Sequence, residues 1–224
     1  MIALRSSLSA MLALGLLAGC AHKQAPPYDY TAFQKARPTT LLVLPPVNES
    51  PDVKATPGVW ANATRPLSEA GYYVLPVTLV DATFKQNGVT DAASAQEVAW
   101  QKLHEVFGAD AAVYLKVRRY GTSYQVVSSD TRVEADARVV DLRSGALLWE
   151  GSAVASSAEN NGGGGGGLAG MLVRAVVDQI VKSATDAAFN YAAVADDRLL
   201  GAPRYNGLPP GPRSPQRGQV VAAP

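Results

Sequence analysis

The most restrictive feature of this sequence is a strict two-residue alternation between positions 132 and 139. Small or β-branched apolar residues alternate there with charged residues: Val133, Ala135, Ala137 and Val139 against Arg132, Glu134, Asp136 and Arg138. Because successive side chains of a strand point to opposite faces of a sheet, the pattern predicts a strand with one buried and one wet face. Parallel sheets are covered on both faces, so this part of the sheet is predicted to be antiparallel.

Strands are also predicted on both sides of this segment. Residues 111–120 alternate in the same way, and residues 124–127 are predicted to continue a strand after a turn at Gly121. Residues 141–145 have the composition of a tight turn, and residues 146–154 form the returning strand. The second half of the domain is therefore expected to contain an antiparallel meander.

The first part of the domain has a more continuously apolar pattern. Residues 40–47 predict a strand that is covered on both faces and ended by two prolines, and residues 72–77 predict a second strand. Between them, residues 56–70 predict a helix with a threonine cap and Gly71 after its end. Pro66 is expected to break that helix into two pieces.

Three more helices are predicted, over residues 78–86, 91–107 and 168–195. The last is the longest, and its apolar face is wide for a helix that lies on one side of a sheet. A polar stripe runs along it: Arg174, Asp178, Lys182, Asp186 and Asn190. The apolar face packs on the sheet, or part of it is covered by a second copy or by another protein.

Composition divides the chain into four parts. Residues 1–19 are an apolar leader, and residues 20–38 are a polar, proline-punctuated tether. Residues 39–200 are long enough for one domain with a core, and the run at 161–167 is expected to be a glycine hinge. Residues 201–224 are rich in proline, glycine and arginine with little to bury, so a disordered tail is predicted.

The leader ends at the only cysteine of the chain, Cys20. Arg5 provides a positive flank, the apolar run at 8–17 is too short for a permanent span, and small residues follow it, as in secretory signal peptides. The sequence at 17–20, Leu-Ala-Gly-Cys, resembles the lipobox of bacterial lipoproteins, which implies cleavage before Cys20 and its acylation. The alternative is an ordinary cleaved signal peptide with a chance cysteine.

Charge and cysteine content exclude several classes of function. The chain has 20 basic and 19 acidic residues, so its net charge gives no electrostatic reason to expect nucleic-acid binding. A single cysteine forms no internal disulfide, and the fold must be stabilised by packing. After the leader, no stretch has the roughly twenty apolar residues of a membrane span.

The sequence offers few residues for catalysis or for metal binding. Its histidines are His22, beside the proposed anchor, and His104, within a predicted helix. A metal site rich in histidine or cysteine is therefore not expected, and no cofactor is predicted. A Ser-His-Asp hydrolase would depend on His104, and no serine elbow of the G-x-S-x-G kind is present. Asp196 and Asp197 are interpreted as marking the end of the last helix rather than as a glycosidase pair.

Three segments together resemble a family of Gram-negative lipoproteins that includes a meningococcal surface-antigen candidate. They are LLVLPPVNESPDVKATPGVW, RPLSEAGYYVLPV, and GADAAVYLKVRRYGTSYQVVSS with the later ARVVDLRSGALLWEGSA. More loosely, the strand that begins with GAD and the later hairpin resemble the amino-terminal domain of TolB, the curli-secretion lipoprotein and lipoprotein activators of peptidoglycan synthases. This resemblance implies a single α/β (α+β) domain with helices packed on a mixed sheet. It carries over one site residue, Cys20.

The resemblance and the lipobox together predict a non-catalytic lipoprotein of the cell envelope. Ala21 after the cysteine is similar to the pattern of enteric lipoproteins sorted to the outer membrane, which implies a lipid anchor there and a domain facing the periplasm. The expected function is binding or assembly within an envelope transport or secretion complex. The alternative is docking on a peptidoglycan synthase to activate it. Expected partners are the membrane, envelope proteins and a second copy through residues 168–195.

Overall fold

A mixed sheet forms the centre of the computed structural model, which describes residues 26–124, 129–160 and 187–218. The described strands are β1 Thr40–Val43, β2 Val47–Asn48, β3 Tyr73–Val74, β4 Ala111–Tyr124, β5 Ser129–Asp141 and β6 Leu147–Ser156. Their order is β3-β1-β4-β5-β6, with β2 beside the later part of β4. Strand β1 is parallel to β3 and β4, whereas β4, β5 and β6 form an antiparallel meander.

Six α-helices and one short 3₁₀-helix lie among the described residues. They are α1 Thr31–Ala36, α2 Ala55–Glu69, α3 Val77–Gln86, α4 Ala92–Glu97, α5 Trp100–Phe107, the 3₁₀-helix Ser157–Asn160 and α6 Ala187–Leu200. Helices α2 and α6 pack on one face of the sheet, which we call the first face. Helices α3, α4 and α5 cover the second face only near β1 and the beginning of β4. The α/β class with helices packed on a mixed sheet is therefore confirmed.

The apolar side chains form two clusters that the sheet separates. The larger cluster contains Val113, Leu115 and Val117 of β4 and the predicted apolar residues of β5. Leu41 of β1 belongs to the larger cluster as well. The smaller cluster contains Leu42 of β1 and Leu44 just after its end, together with buried residues of the three helices on the second face: Val80, Phe84, Ala95 and Leu103. Consecutive leucines of β1 thus face different clusters, as the prediction of a strand covered on both faces requires.

Strand β4 continues through the position where a turn was predicted. Gly121 pairs with Arg132 inside the β4–β5 ladder, with a φ angle of +121°. A bulge between Val117 and Arg119 shifts the register, so that Arg118 and Arg119 are both exposed before Tyr120 returns to the core. The predicted turn at Gly121 is therefore wrong, because the bulge rather than a turn changes the alternation. Of the predicted continuation at 124–127, Tyr124 ends β4 and residues 125–127 lie outside the described residues.

Two helix predictions also differ from the structure. Helix α2 continues through Pro66, which is buried in its last turn, where a missing N–H removes only one hydrogen bond of the helix. The single helix predicted at 91–107 is instead divided into α4 and α5, because Val98 and Ala99 adopt extended backbone angles. Asp91 caps α4 by accepting a hydrogen bond from the Ser94 N–H at 2.9 Å.

The parallel strands are shorter than predicted. Strand β1 ends at Val43 before the two prolines, and Val47 belongs to the separate β2. Strand β3 has two residues, since Val77 already begins α3. Helix α2 begins at Ala55, and the Thr56 hydroxyl donates to the Pro46 carbonyl at 3.0 Å instead of capping the helix.

The prediction of a disordered tail from residue 201 is wrong for residues 201–218, which pack against the domain. Leu208 is buried in the larger core cluster. The N–H of Gly211 donates to the Ala70 carbonyl at 2.7 Å, and that of Arg213 to the Gly71 carbonyl at 3.1 Å. This packing depends on backbone contacts and a few apolar side chains, so composition did not reveal it. Residues 219–224 lie outside the described part.

The second half of the predicted tether is also packed on the domain. Phe33 of α1 is buried in the larger core cluster, and Tyr28 and Tyr30 pack against it. The Tyr28 hydroxyl accepts a hydrogen bond from the Glu150 N–H at the free edge of β6, at 3.2 Å. Any free tether is therefore limited to residues before Pro26. Residues 20–25 lie outside the described part.

The last predicted helix is described only from Ala187. It extends to Leu200, past the predicted end at residue 195, and packs on α2 and on the antiparallel strands. Asn190, predicted in the polar stripe, is buried, with 3% of its surface exposed. The remaining stripe residues and the glycine run at 161–167 lie outside the described residues.

Candidate functional site

The second face of β4, β5 and β6 is left uncovered by the described helices and carries the predicted charged side chains. A groove of about 540 Å³ crosses these three strands. Its lining includes Tyr114, Lys116 and Arg118 of β4, Asp136 and Arg138 of β5, and Glu150 and Ser152 of β6. We call this surface the charged groove.

Two ion pairs lie along the β4 side of the charged groove. The Arg118 Nε donates to the Asp136 Oδ2 at 2.5 Å, and the Lys116 Nζ donates to the Glu49 Oε1 at 2.8 Å. The hydrogen bond from Asp136 raises the pKa of Arg118, and the one from Lys116 lowers the pKa of Glu49. Because these pairs face solvent, each contributes little to folding.

The other side of the charged groove has charges without a salt bridge among the described residues. Arg138 and Glu150 are paired residues of β5 and β6, but neither forms a salt bridge in this part of the chain. The Arg138 guanidinium instead lies over the Tyr114 ring, 5.7 Å from its centroid. Burial raises the pKa of Tyr114, and the charge of Arg138 opposes this. Arg138 and Glu150 are therefore available to opposite charges of a partner.

Helix α4 fixes one end of the charged groove. The Gln96 side-chain amide donates to the Pro45 carbonyl at 2.9 Å and to the Leu115 carbonyl at 2.8 Å. These bonds attach the helix to the end of β1 and to β4, so the wall of the groove is held by the fold itself. Sequence reasoning did not identify Gln96, because its partners are backbone groups distant in sequence.

The candidate catalytic residues are not assembled into a site. One ring nitrogen of His104, Nδ1, is hydrogen-bonded to the Ala109 carbonyl at 2.8 Å, next to the end of α5. Asp196 and Asp197 do not face one another across a cleft: Asp197 accepts a hydrogen bond from Arg65 at 2.6 Å, whereas Asp196 is completely buried. Within residues 26–124, 129–160 and 187–218, no three His, Cys, Asp or Glu side chains are grouped to hold a metal ion.

Asp196 is the residue whose environment sequence reasoning missed. Neither of its carboxylate oxygens has a hydrogen-bond partner among the described residues. Burial raises its pKa well above the ordinary carboxyl value; the charge of Asp197 adds to this effect and that of Arg65 opposes it. Its burial could have been inferred from its spacing on α6. Asp196 lies four residues after Ala192 and four before Leu200, which are both buried, so the three residues share one face of the helix.

The proposed anchor is not described by the structure. Cys20 and His22 lie outside the described residues, as does most of the predicted dimer helix at 168–195. The described part of that helix is buried against the same chain, with Ala188, Tyr191 and Ala195 in the larger core cluster. No helix of the described segments has the length and apolar character needed to cross a bilayer.

Comparisons with known proteins relate the whole domain to one family. A protein of Neisseria meningitidis serogroup B (strain ATCC BAA-335 / MC58), "Putative lipoprotein NMB1124/NMB1162", is 49% identical over 206 residues, covering 92% of this chain and 94% of that protein. The crystal structure of lipoprotein GNA1162 from Neisseria meningitidis is 54% identical, with a TM-score of 0.54, covering 65% of this chain and 100% of that chain. The C-terminal domain of LpoB from Salmonella enterica is 14% identical, with a TM-score of 0.38, covering 52% of this chain and 81% of that chain.

The family comparison confirms the resemblance inferred from the three sequence segments. A family model described as "Putative lipoprotein GNA1162-like" matches residues 28–213, which include most of both terminal segments that pack on the domain. The matched range extends beyond the predicted domain at 39–200 at both ends. The chain therefore belongs to the GNA1162-like lipoprotein family.

Proposed function

We propose that this protein is an outer-membrane lipoprotein whose domain docks on another envelope protein through the charged groove, without catalysis, within an envelope transport or secretion complex. The observation that carries the proposal is the uncovered second face of β4, β5 and β6. Helices cover the rest of the sheet, and this part alone exposes a contiguous charged surface of three strands among the described residues.

The geometry of the charged groove suits recognition of a partner. Its strands are held in a sheet, so the charged side chains have fixed spacing before a partner binds, which lowers the entropy cost of association. Both signs of charge are present, and Arg138 and Glu150 have no salt bridge to break within the described part of the chain. A partner with complementary charges would therefore gain specificity and a faster association rate.

The anchor would supply the second part of the mechanism. If Cys20 is acylated and becomes the mature N-terminus, the domain is confined to the membrane surface, where its effective concentration toward other membrane-bound proteins rises. A modest affinity at the charged groove would then suffice for a stable complex. The family assignment supports this part, since the related proteins are named as lipoproteins.

The anchor is tested by replacing the cysteine in the full-length chain. We expect Cys20→Ser to move the protein from the outer-membrane fraction to the soluble periplasmic fraction and to abolish incorporation of labelled fatty acid. An Ala21→Ser variant is the matched control, since it leaves the acceptor thiol in place. Membrane recovery and leader processing of Cys20→Ser equal to those of the unmodified protein would contradict the proposal.

Docking is tested by site-specific photo-crosslinking in living cells. A photoreactive residue at Ser152, in the charged groove, is expected to capture a defined envelope protein, and Arg138→Glu should reduce that product about fivefold or more, the equivalent of about 1 kcal/mol. Lys85→Glu, at an exposed position of α3 that does not line the charged groove, is the control and should leave it unchanged. A transport or secretion component as the product supports the assignment, whereas a peptidoglycan synthase would replace it with the regulatory alternative. A product insensitive to Arg138→Glu contradicts the proposed surface.

A further inference from the structure

Charge is distributed unequally between the terminal segments and the rest of the chain. Residues 26–38 and 201–218 together contain five lysines and arginines and one acidic residue. Residues 39–200 contain 13 lysines and arginines against 18 acidic residues. The two terminal segments of the described chain therefore carry a net positive charge, although the chain as a whole is nearly neutral.

The two terminal segments are held together in space. The Asn206 side chain accepts a hydrogen bond from the Tyr28 N–H at 2.9 Å and donates one to the Pro26 carbonyl at 2.9 Å. The Tyr30 hydroxyl donates to the Gly207 carbonyl at 2.6 Å. The two terminal segments therefore lie side by side on the domain.

A groove of about 660 Å³ lies between these segments. Phe33 of α1 and Tyr72 form apolar parts of its wall, and the prolines of residues 209–212 form the opposite wall. Arg37 and Arg217 also line it, and the guanidinium of Arg213 lies 5.9 Å from the ring centroid of the neighbouring Tyr73. We call this surface the basic groove.

The cations of the basic groove are not neutralised by acidic side chains of the described chain. Arg37, Arg213 and Arg217 form no salt bridge in residues 26–124, 129–160 and 187–218. Two acidic residues near these segments are already occupied, because Asp110 pairs with Arg143 and Glu69 pairs with Arg65. Asp110 also accepts the N–H groups of Thr39 and Thr40 at 2.9 Å.

The basic groove is also close to the proposed anchor. Cys20 precedes Pro26 by six residues, which span at most about 20 Å when fully extended. Asn206 fixes Pro26 beside Gly207, and Pro209 and Pro210 of the same segment line the groove. An acylated Cys20 would thus hold this side of the domain next to the lipid headgroups.

We propose that the basic groove lies against anionic phospholipid headgroups and so sets the orientation of the domain on the membrane. The inference rests on the proposed acylation of Cys20 for its location, but headgroup attraction itself requires no acyl chain. Each lysine or arginine near an anionic bilayer contributes about fivefold to binding at moderate ionic strength, and salt screens the attraction. The exposed ring of Tyr73 suits the headgroup region, where aromatic side chains are favoured.

The test uses the mature chain, residues 20–224, carrying Cys20→Ser so that no acyl chain contributes. Co-sedimentation is measured with vesicles of phosphatidylcholine alone and with vesicles that also contain phosphatidylglycerol. We expect at least about tenfold tighter binding to the anionic vesicles, weakening as salt is raised. The double variant Arg37→Glu/Arg217→Glu should lose about tenfold or more of that binding.

A matched variant separates the basic groove from a general effect of charge. Lys85→Glu/Lys102→Glu changes the net charge by the same amount at exposed positions on α3 and α5, and should change vesicle binding less than twofold. Equal binding of the unmodified mature chain to both vesicles, or an equal loss in the two double variants, would overturn the proposal. Loss of an acidic protein partner in the Arg37→Glu/Arg217→Glu variant, with vesicle binding unchanged, would also overturn it. Because this chain is not acylated, failure of the anchor proposal would appear separately, in the fractionation of Cys20→Ser.

Discussion

The two halves of the second face of the sheet differ in burial and in charge. Near β1, three helices cover the face, and Leu42 and Leu44 are completely buried beneath them. Across β4, β5 and β6 the same face is charged and open, with ion pairs at its surface. The boundary between them runs along β4: Ala112 near its beginning is buried on this face, and Lys116 is exposed.

This difference follows from how the strands are connected. A parallel pair requires a crossover, and the crossovers here contain the helices that cover β1 and the beginning of β4. The antiparallel strands are joined by short connections that bring no helix to the second face. One continuous sheet therefore provides a stabilising half and a half that is free to bind.

The largest expected loss of stability follows from a substitution in the covered half. Leu42→Ala removes a completely buried side chain from the smaller cluster, so the free energy of unfolding should fall by about 2–5 kcal/mol in urea denaturation. Leu147→Ala, at a position with 44% exposure on β6, is the control and should cost less than about 1 kcal/mol. Similar losses in the two variants would remove the distinction between a covered and an open half.

An intermediate effect is expected at Asp196, on the helix that covers the first face. Burial raises its pKa in the folded state, so its contribution is fully present below the unfolded pKa and is lost as pH rises through the folded value. Asp196→Asn should therefore be more stable than the unmodified protein at pH 7, by about 1 kcal/mol or more, because the amide has no charge to bury and no proton to take up on folding, and one unit of pKa shift is worth about 1.4 kcal/mol.

The same comparison at acidic pH provides the check. Thermal unfolding should show the advantage of Asp196→Asn shrinking as pH is lowered to about 3, below the unfolded pKa of about 3.9, where the carboxyl is mostly protonated in both states. Asp197→Asn is the matched control and should lack this gain, because its carboxylate is paired with Arg65. An Asp196→Asn variant that is less stable at pH 7 would show that the charged form is stabilised in the fold.

The smallest effect on stability is expected for substitutions in the open half. A double-mutant cycle on Arg118→Ala and Asp136→Ala should give a coupling energy within the small range typical of exposed ion pairs, reduced by added salt. Chemical denaturation at low and at high ionic strength measures it. A coupling energy well above this range would mean that the charged groove is a structural element and not a surface kept free for a partner.

Patterns with a regular period were sufficient to predict the antiparallel half. The buried residues of β5 and those of β4 up to Val117 agree with the alternation in the sequence. Arg118 is exposed as predicted, and the prediction fails only after it, because the bulge between Val117 and Arg119 adds one residue and reverses the alternation. The groove around Arg138 and Glu150 was predicted only as a charged face, since its depth depends on the twist of three strands and on α4.

The terminal segments could not be predicted from composition. Their prolines and glycines have no period, and their packing depends on close backbone approach: a Cβ on Gly211 would lie 2.7 Å from the Gly71 carbonyl oxygen. Likewise, a Cβ on Gly71 would lie 2.3 Å from the Ser214 nitrogen, and its φ of +94° also disfavours a side chain. Amino-acid composition indicates how much apolar surface a segment can bury, but it does not indicate which backbone groups come into contact.

The hydrogen bonds between Asn206 and residues 26 and 28 have a mechanical consequence. Tension transmitted from a bilayer through the N-terminus would reach these bonds before it reached the sheet. The N-terminal segment, on which the tension acts, would separate from the C-terminal segment before the hydrogen-bonded ladder of β4 and β5 was loaded. The contacts between the two chain ends would thus break and re-form under tension, while the rest of the domain stays folded.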